Sequence, residues 1–115
     1  MAQNYRIINL EDDLPTVEQA MRRLVWEVRT ARKQGIRLLK VIHGFGSSGR
    51  GGKIRPAARR ELETLQKSGH VRFYIPGERL SIFDADTRRA LDLVPALRGD
   101  SDLDRHNNGV TLVVL

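Results

Sequence analysis

Two periods organise the apolar residues of this chain. Val17, Ala20, Met21, Leu24, Val25, Val28 and Ala31 recur at spacings of three and four, which places them on one face of an α-helix. Thr16 with Gln19 has the spacing of a capping box, and Pro15 suits a helix opening. The pattern therefore predicts a first helix that begins within residues 14–17 and ends at Gly35. Trp26 lies off the centre of the stripe. Ile54, Ala58, Leu62 and Leu65 repeat the same spacing and predict a second helix over residues 53–67. Pro56 falls in its first turn, where the missing N–H costs least, and Gly69 stops it.

The shorter period belongs to strands. Residues 5–10 read as a first strand, and residues 36–42, apolar and β-branched, as an interior strand buried on both faces. Residues 71–75 form a third strand, ended by Pro76-Gly77, and Gly109 leads into a last strand over 110–115 that closes the sheet. Between them, residues 80–83 read either as a short strand or as part of a loop. Asp84 or Asp86 caps a short helix that runs to Val94 and breaks at Pro95, and residues 99–108 read as a polar, mobile segment. The expectation is one α/β domain over residues 1–115. Its architecture is a two-layer sandwich on a mixed four-stranded sheet, in β-α-β-α-β-β order, with two main helices. Residues 78–108 form an insertion or a lengthened connection before the last strand.

Composition narrows the setting. A length of 115 residues supports a single core. No apolar run approaches the ~20 residues that span a bilayer, and the first residues lack a signal-peptide pattern. With no cysteine there is no disulfide framework and no thiolate metal site. The cytoplasm is the expected location, with no membrane partner. The formal net charge is +6, and its distribution matters more than its size. Residues 29–60 hold ten Lys or Arg, half of all those in the chain, and no acid. Such a field recruits polyanions, nucleic acid before anionic membrane. Arg32 and Lys33 read as a solvated helix face.

The remaining cations meet a glycine cluster. In the stretch from His43 to Lys53, five of the ten glycines fall within nine residues, after an apolar run and before a helix. Main-chain N–H groups of Gly44, Phe45, Gly46, Ser47, Ser48, Gly49, Gly51 and Gly52, with the helix N-terminus behind them, form a cradle for phosphates. Arg50, Lys53 and Arg55 supply full charges there. A nucleotide P-loop needs glycine at 47 and Ser or Thr at 54; Ser47 and Ile54 fail both. Phe45 either stacks on a base or plugs the loop onto the core. His43, at a strand end beside the loop, has two readings: a general base or phosphate donor, and a ring that fixes the loop through backbone hydrogen bonds. Glu11, Asp12 and Asp13 either bind Mg²⁺ or face a helix dipole. His106 precedes the last strand near the loop, and His70 flanks the third strand.

His43-Gly44-Phe45-Gly46 has the form HGxG, Pro15-Thr16-Val17-Glu18-Gln19-Ala20 resembles a T-x-x-E-A opening with the alanine in place, and Gly109 to Leu115 has the form G-x-T-x-V-x-L. In this order, the three motifs resemble the Smr (small MutS-related) domain over residues 5–75 and 106–115, with residues 76–105 longer than in that family. The resemblance implies nucleic-acid binding and, in some members, nicking of DNA or RNA. This chain departs from it at the first strand. Where the family has L-D-x-H-G, Ile8-Asn9-Leu10-Glu11-Asp12 puts Asn9 at the aspartate and Glu11 at the histidine.

The leading reading is a domain that binds DNA or RNA through backbone phosphates, using no cofactor. The alternatives are a nicking endonuclease with His43, Glu11 and Asp12 as catalytic residues, drawing on Mg²⁺ and with no metal ligands assigned, and a protein-interaction module acting through residues 78–105.

Overall fold

The computed structural model describes residues 4–13, 15–44 and 51–115. Its elements are β1 (Tyr5–Asn9), α1 (Val17–Lys33), β2 (Leu38–Ile42), α2 (Gly51–Lys67), β3 (Phe73–Pro76), α3 (Ala85–Leu93) and β4 (Val110–Val114). Short 3-10 turns stand at Gly77–Arg79 and Pro95–Gly99. The capping box forms as its spacing requires: the Gln19 N–H donates to Thr16 Oγ1 at 3.1 Å, and the Thr16 N–H donates to Gln19 Oε1 at 2.9 Å. Gly35, at φ +77°, follows α1 in the left-handed region that a β-carbon disfavours.

The α/β class and the four-stranded mixed sheet follow the expectation. The strand order is β1-β2-β4-β3, with β1 and β2 parallel and β4 antiparallel to both neighbours. The last strand thus does not close an edge. It slots between β2 and β3, and all five of its residues are buried. Alternation along the strands divides the core in two. Ile8, Leu39, Val41 and Val113 pack under Ala20, Leu24, Val28 of α1 and Ile54, Ala58, Leu62 of α2. Leu38, Ile75, Leu112 and Val114 face the other way.

The second face carries the largest departures from the sequence reading. Residues 77–105 fold back over it and bury Leu80, Ala90, Leu91, Val94 and Leu97 against the sheet. Of the two readings open for each, residues 80–83 take the loop form, as a turn, and Asp84 is the cap of α3, accepting from the Thr87 N–H at 2.9 Å. Residues 99–108 are pinned where a mobile segment was expected. Lys40, central in the interior strand β2, points into this face with its side chain 6% exposed. Its ammonium bridges Asp100 at 2.9 Å and also meets Asp102. Tyr5 donates its hydroxyl to Asp100, and Asn107 donates to Asp102 at 2.9 Å. Burial by itself would lower the Lys40 pKa, but the bonds to Asp102 and Asp100 outweigh it and raise the pKa above the usual lysine value. Burial and the Asp100 carboxylate push the Tyr5 phenol up as well.

Two boundaries also shift. α2 opens at Gly51, two residues earlier than expected, which leaves Pro56 in its second turn. The cost is one lost bond to the Gly52 carbonyl, at a position where both residues are exposed. β3 begins at Phe73 because the His70 and Val71 N–H groups donate to the Leu65 carbonyl and finish α2 instead.

The Lys40 cluster generates a stability prediction. Lys40→Met strands two acidic side chains in a dry site, so it should lower unfolding free energy by about 3–5 kcal/mol in urea titration. Substitution of the exposed Lys33 by Met should change it by less than about 0.5 kcal/mol.

Candidate nucleic-acid interface

The topology brings the C-terminal ends of β1, β2 and β3 and the N-terminal end of β4 to one rim of the sheet. The turn after β1 is built by Asn9, whose Oδ1 accepts the Glu11 N–H at 2.9 Å. Asp13 completes the turn at φ +64°, and Asp12 lies exposed within it. The Glu11 carboxylate rests directly on Gly44, so any β-carbon at 44 would collide with it, and Gly44 also sits at φ +73°. The backbone conformation requires glycine there, while the Glu11 carboxylate, at the end of a flexible side chain, could move aside.

His43 is fully buried. Its N–H and that of Gly44 both donate to the Gly109 carbonyl, each at 3.0 Å. Neither amide therefore faces a ligand, which removes Gly44 from the amide cradle. The ring is held at both nitrogens. Nδ1 lies 2.8 Å from the Gly44 carbonyl, which only accepts, so Nδ1 carries the proton. Nε2, 2.8 Å from Thr111 Oγ1, then accepts from that hydroxyl. Burial pushes the imidazole pKa down to about 4, with Arg59 and Arg55 adding to the effect and the Gly44 carbonyl and Glu78 opposing it. His43 is neutral at physiological pH.

A second set of bonds joins this ring to α2. Arg59 Nε donates to Thr111 Oγ1 at 3.4 Å, and its two terminal nitrogens grip Glu78 at 2.9 and 2.7 Å. Arg55, one turn earlier, reaches the same carboxylate at 3.3 Å. Burial would raise the Glu78 pKa, but the Arg59 hydrogen bonds and the two guanidinium charges hold it below the usual carboxylate value. Arg55 Nε is buried and meets no acceptor among the described residues, an orphaned donor of the kind that demands an explanation. Gly52, Arg55, Pro56, Arg59 and the exposed Arg60 line an open groove here, and Lys53 is exposed in the first turn of α2. His106 Nδ1 donates to the Glu78 carbonyl at 3.2 Å, so that ring steadies the turn after β3.

The structure thus brings His43, Gly44, Glu11 and Arg55 together at one rim, with Gly51, Gly52 and Lys53 in the first turn of α2. Phe45, Gly46, Ser47, Ser48, Gly49 and Arg50 lie outside the described residues. Among the described residues, no three His, Asp or Glu side chains converge as a metal site would require. Glu78, Arg59 and Thr111 were missed from sequence. The i, i+4 spacing of Arg55 and Arg59 was a signal that they share a target. Nothing local to Glu78 marked it as that target. Lys40 belongs to the acid-free basic run yet is consumed on the sheet's other face.

No helix among the described residues is long and apolar enough to cross a membrane. The search of curated proteins and the search of solved structures each return no match. The family model of the Smr domain matches residues 13–79, which takes in α1, β2, α2 and β3 and stops where the segment over the second face begins. That span is more than half of the chain, and it contains the HGxG turn whose histidine and first glycine the rim is built around. The chain belongs to the Smr domain family.

Proposed function

We propose that this Smr domain binds nucleic acid at the rim, gripping backbone phosphates with the first turns of α2 and the loop of residues 45–50. One observation carries the reading. In the groove and beside it, Lys53, Arg55, Arg59 and Arg60 stand around the carboxylate of Glu78, and the Arg55 Nε–H there meets no acceptor among the described residues. A phosphate oxygen supplies both the missing charge and the missing acceptor. The N-terminus of α2 adds its dipole in the same direction. Smr domains are generally nucleic-acid-binding or nicking domains, which agrees with this use of the rim. Recognition rests on phosphates, so base identity contributes little.

Nicking is the second reading, favoured by the Glu11 carboxylate lying against the His43-Gly44 turn. In that chemistry His43 would take a proton from the nucleophile, with Glu11 and Asp12 as the nearby acids. Its one lone pair is already occupied by the Thr111 hydroxyl, and a base with a pKa of about 4 has little affinity for a proton at neutral pH. Binding is therefore the function the geometry favours. Residues 78–105 spend their apolar side chains on the sheet and leave Ile82 and Phe83 exposed, which fits a structural cover.

Lys53→Ala with Arg60→Ala should reduce the slope of log affinity against log salt by about two on duplex nucleic acid, since each phosphate contact contributes ~0.9. Fluorescence anisotropy across a salt series measures it, and an unchanged slope counts against the rim. Incubating supercoiled plasmid and structured RNA with the protein, with and without chelator, decides the nicking reading; product from the wild type that His43→Ala abolishes would establish it.

The buried neutral ring also sets a pH dependence. The unfolded chain binds a proton at His43 near pH 6.5, whereas the folded chain resists it until about pH 4. Stability is therefore full above pH 6.5 and falls as pH drops towards 4, by about 3 kcal/mol at most. Urea titrations at stepped pH should show this loss for the wild type and a shallower one for His43→Gln.

A further inference from the structure

The acid-free basic run does not form one patch. Folding sends Lys53, Arg55, Arg59 and Arg60 towards the rim and buries Lys40 in the middle. Arg29, Arg32, Lys33 and Arg37 go to the opposite end, beyond the C-termini of α1 and α2. Arg72 joins them there, because its N–H bonds to the Val114 carbonyl while the Arg37 carbonyl accepts from Leu115 next door. All five are exposed, and none forms an ion pair among the described residues. Arg29, Arg32 and Lys33, with His70 from the loop after α2, line an open groove of about 400 Å³.

Helix dipoles explain some of this charge and leave most of it over. α1 and α2 run in the same direction and both end at this pole, each worth roughly half a negative charge. Against five full cations, that leaves an excess of about four positive charges. Residues that only complement a helix end need no groove shared with a neighbouring loop. The rim lies at the other end of α1, whose 17 residues span about 25 Å.

We propose that this distal groove is a second contact site for the phosphodiester backbone, so that one nucleic-acid molecule is held at two poles of the domain. The proposal rests on the nucleic-acid reading of the rim and adds a surface to it. A duplex of about 20 base pairs, roughly 70 Å long at ~3.4 Å per pair, reaches both poles.

The test compares wild type, Arg29→Ala/Arg32→Ala/Lys33→Ala, and Lys53→Ala/Arg60→Ala on such a duplex, as DNA and as RNA, over a salt series. All five side chains are exposed, and circular dichroism melting verifies that each variant folds. The distal triple variant should bind about tenfold or more weakly, with its salt slope reduced by about two to three. Wild-type affinity and slope in the triple variant would overturn the distal site and leave the rim standing. Loss in the triple variant with none in the rim variant would overturn the rim and keep the distal site. Failure of the wild type to bind either duplex would overturn both. Binding to phosphatidylserine vesicles that the triple variant loses, with duplex binding unchanged, would assign the pole to a membrane surface and overturn the proposal.

Discussion

A lysine ammonium held between two carboxylates in the middle of a sheet decides how this molecule is arranged. Lys40 sits on an interior strand, where its neighbours on the same face are Leu38 and Leu112. An unpaired charge there is not tolerable, and a paired one is tolerable only with good geometry and further hydrogen bonds. Asp100 and Asp102 supply the charge, while Tyr5 and Asn107 supply the bonds. That requirement draws residues 100–107 onto the sheet and fixes where the whole connection from β3 to β4 must lie. The apolar side chains of α3 and the Pro95–Gly99 turn then cover the rest of the face.

The same connection governs the rim. Glu78 lies at its start, in the turn after β3, and collects both Arg55 and Arg59 from α2. Arg59 touches Thr111, Thr111 occupies the free lone pair of His43, and His43 closes onto the Gly44 carbonyl. Four elements are tied by one chain of polar contacts, every member of which is buried or half-buried. Such a chain specifies a single arrangement because breaking any link leaves its neighbour unsatisfied. Within it the His43 ring is held at both nitrogens, by the Gly44 carbonyl and the Thr111 hydroxyl. Asn9 serves similarly at the first strand. Its side-chain oxygen accepts the Glu11 N–H, a bond that an aspartate at that position would make equally well.

Charge is partitioned by these contacts. Within the basic run, Lys40 is spent internally, Lys53, Arg55, Arg59 and Arg60 lie in the first turns of α2, and Arg29, Arg32, Lys33 and Arg37 lie by the C-terminus of α1.

Helix positions, caps and strand-forming stretches were legible in the chain because each depends on neighbours a few residues away. Thr16 and Gln19 cap α1 as their spacing required, and Asp84 caps α3. The ordered motifs from Thr16 to the HGxG turn likewise pointed to the Smr family, since a motif is local by construction. The partner of a charge is not local. Lys40 lies 60 residues from Asp100, and Arg59 lies 19 from Glu78, so no pattern along the chain told a spent cation from a free one. Only the tertiary structure decided that β4 lies inside the sheet, that the polar segment before it is anchored, and which basic residues remain for a partner. The reason is that burial and pairing are properties of the folded surface, which forms after the local elements have taken shape.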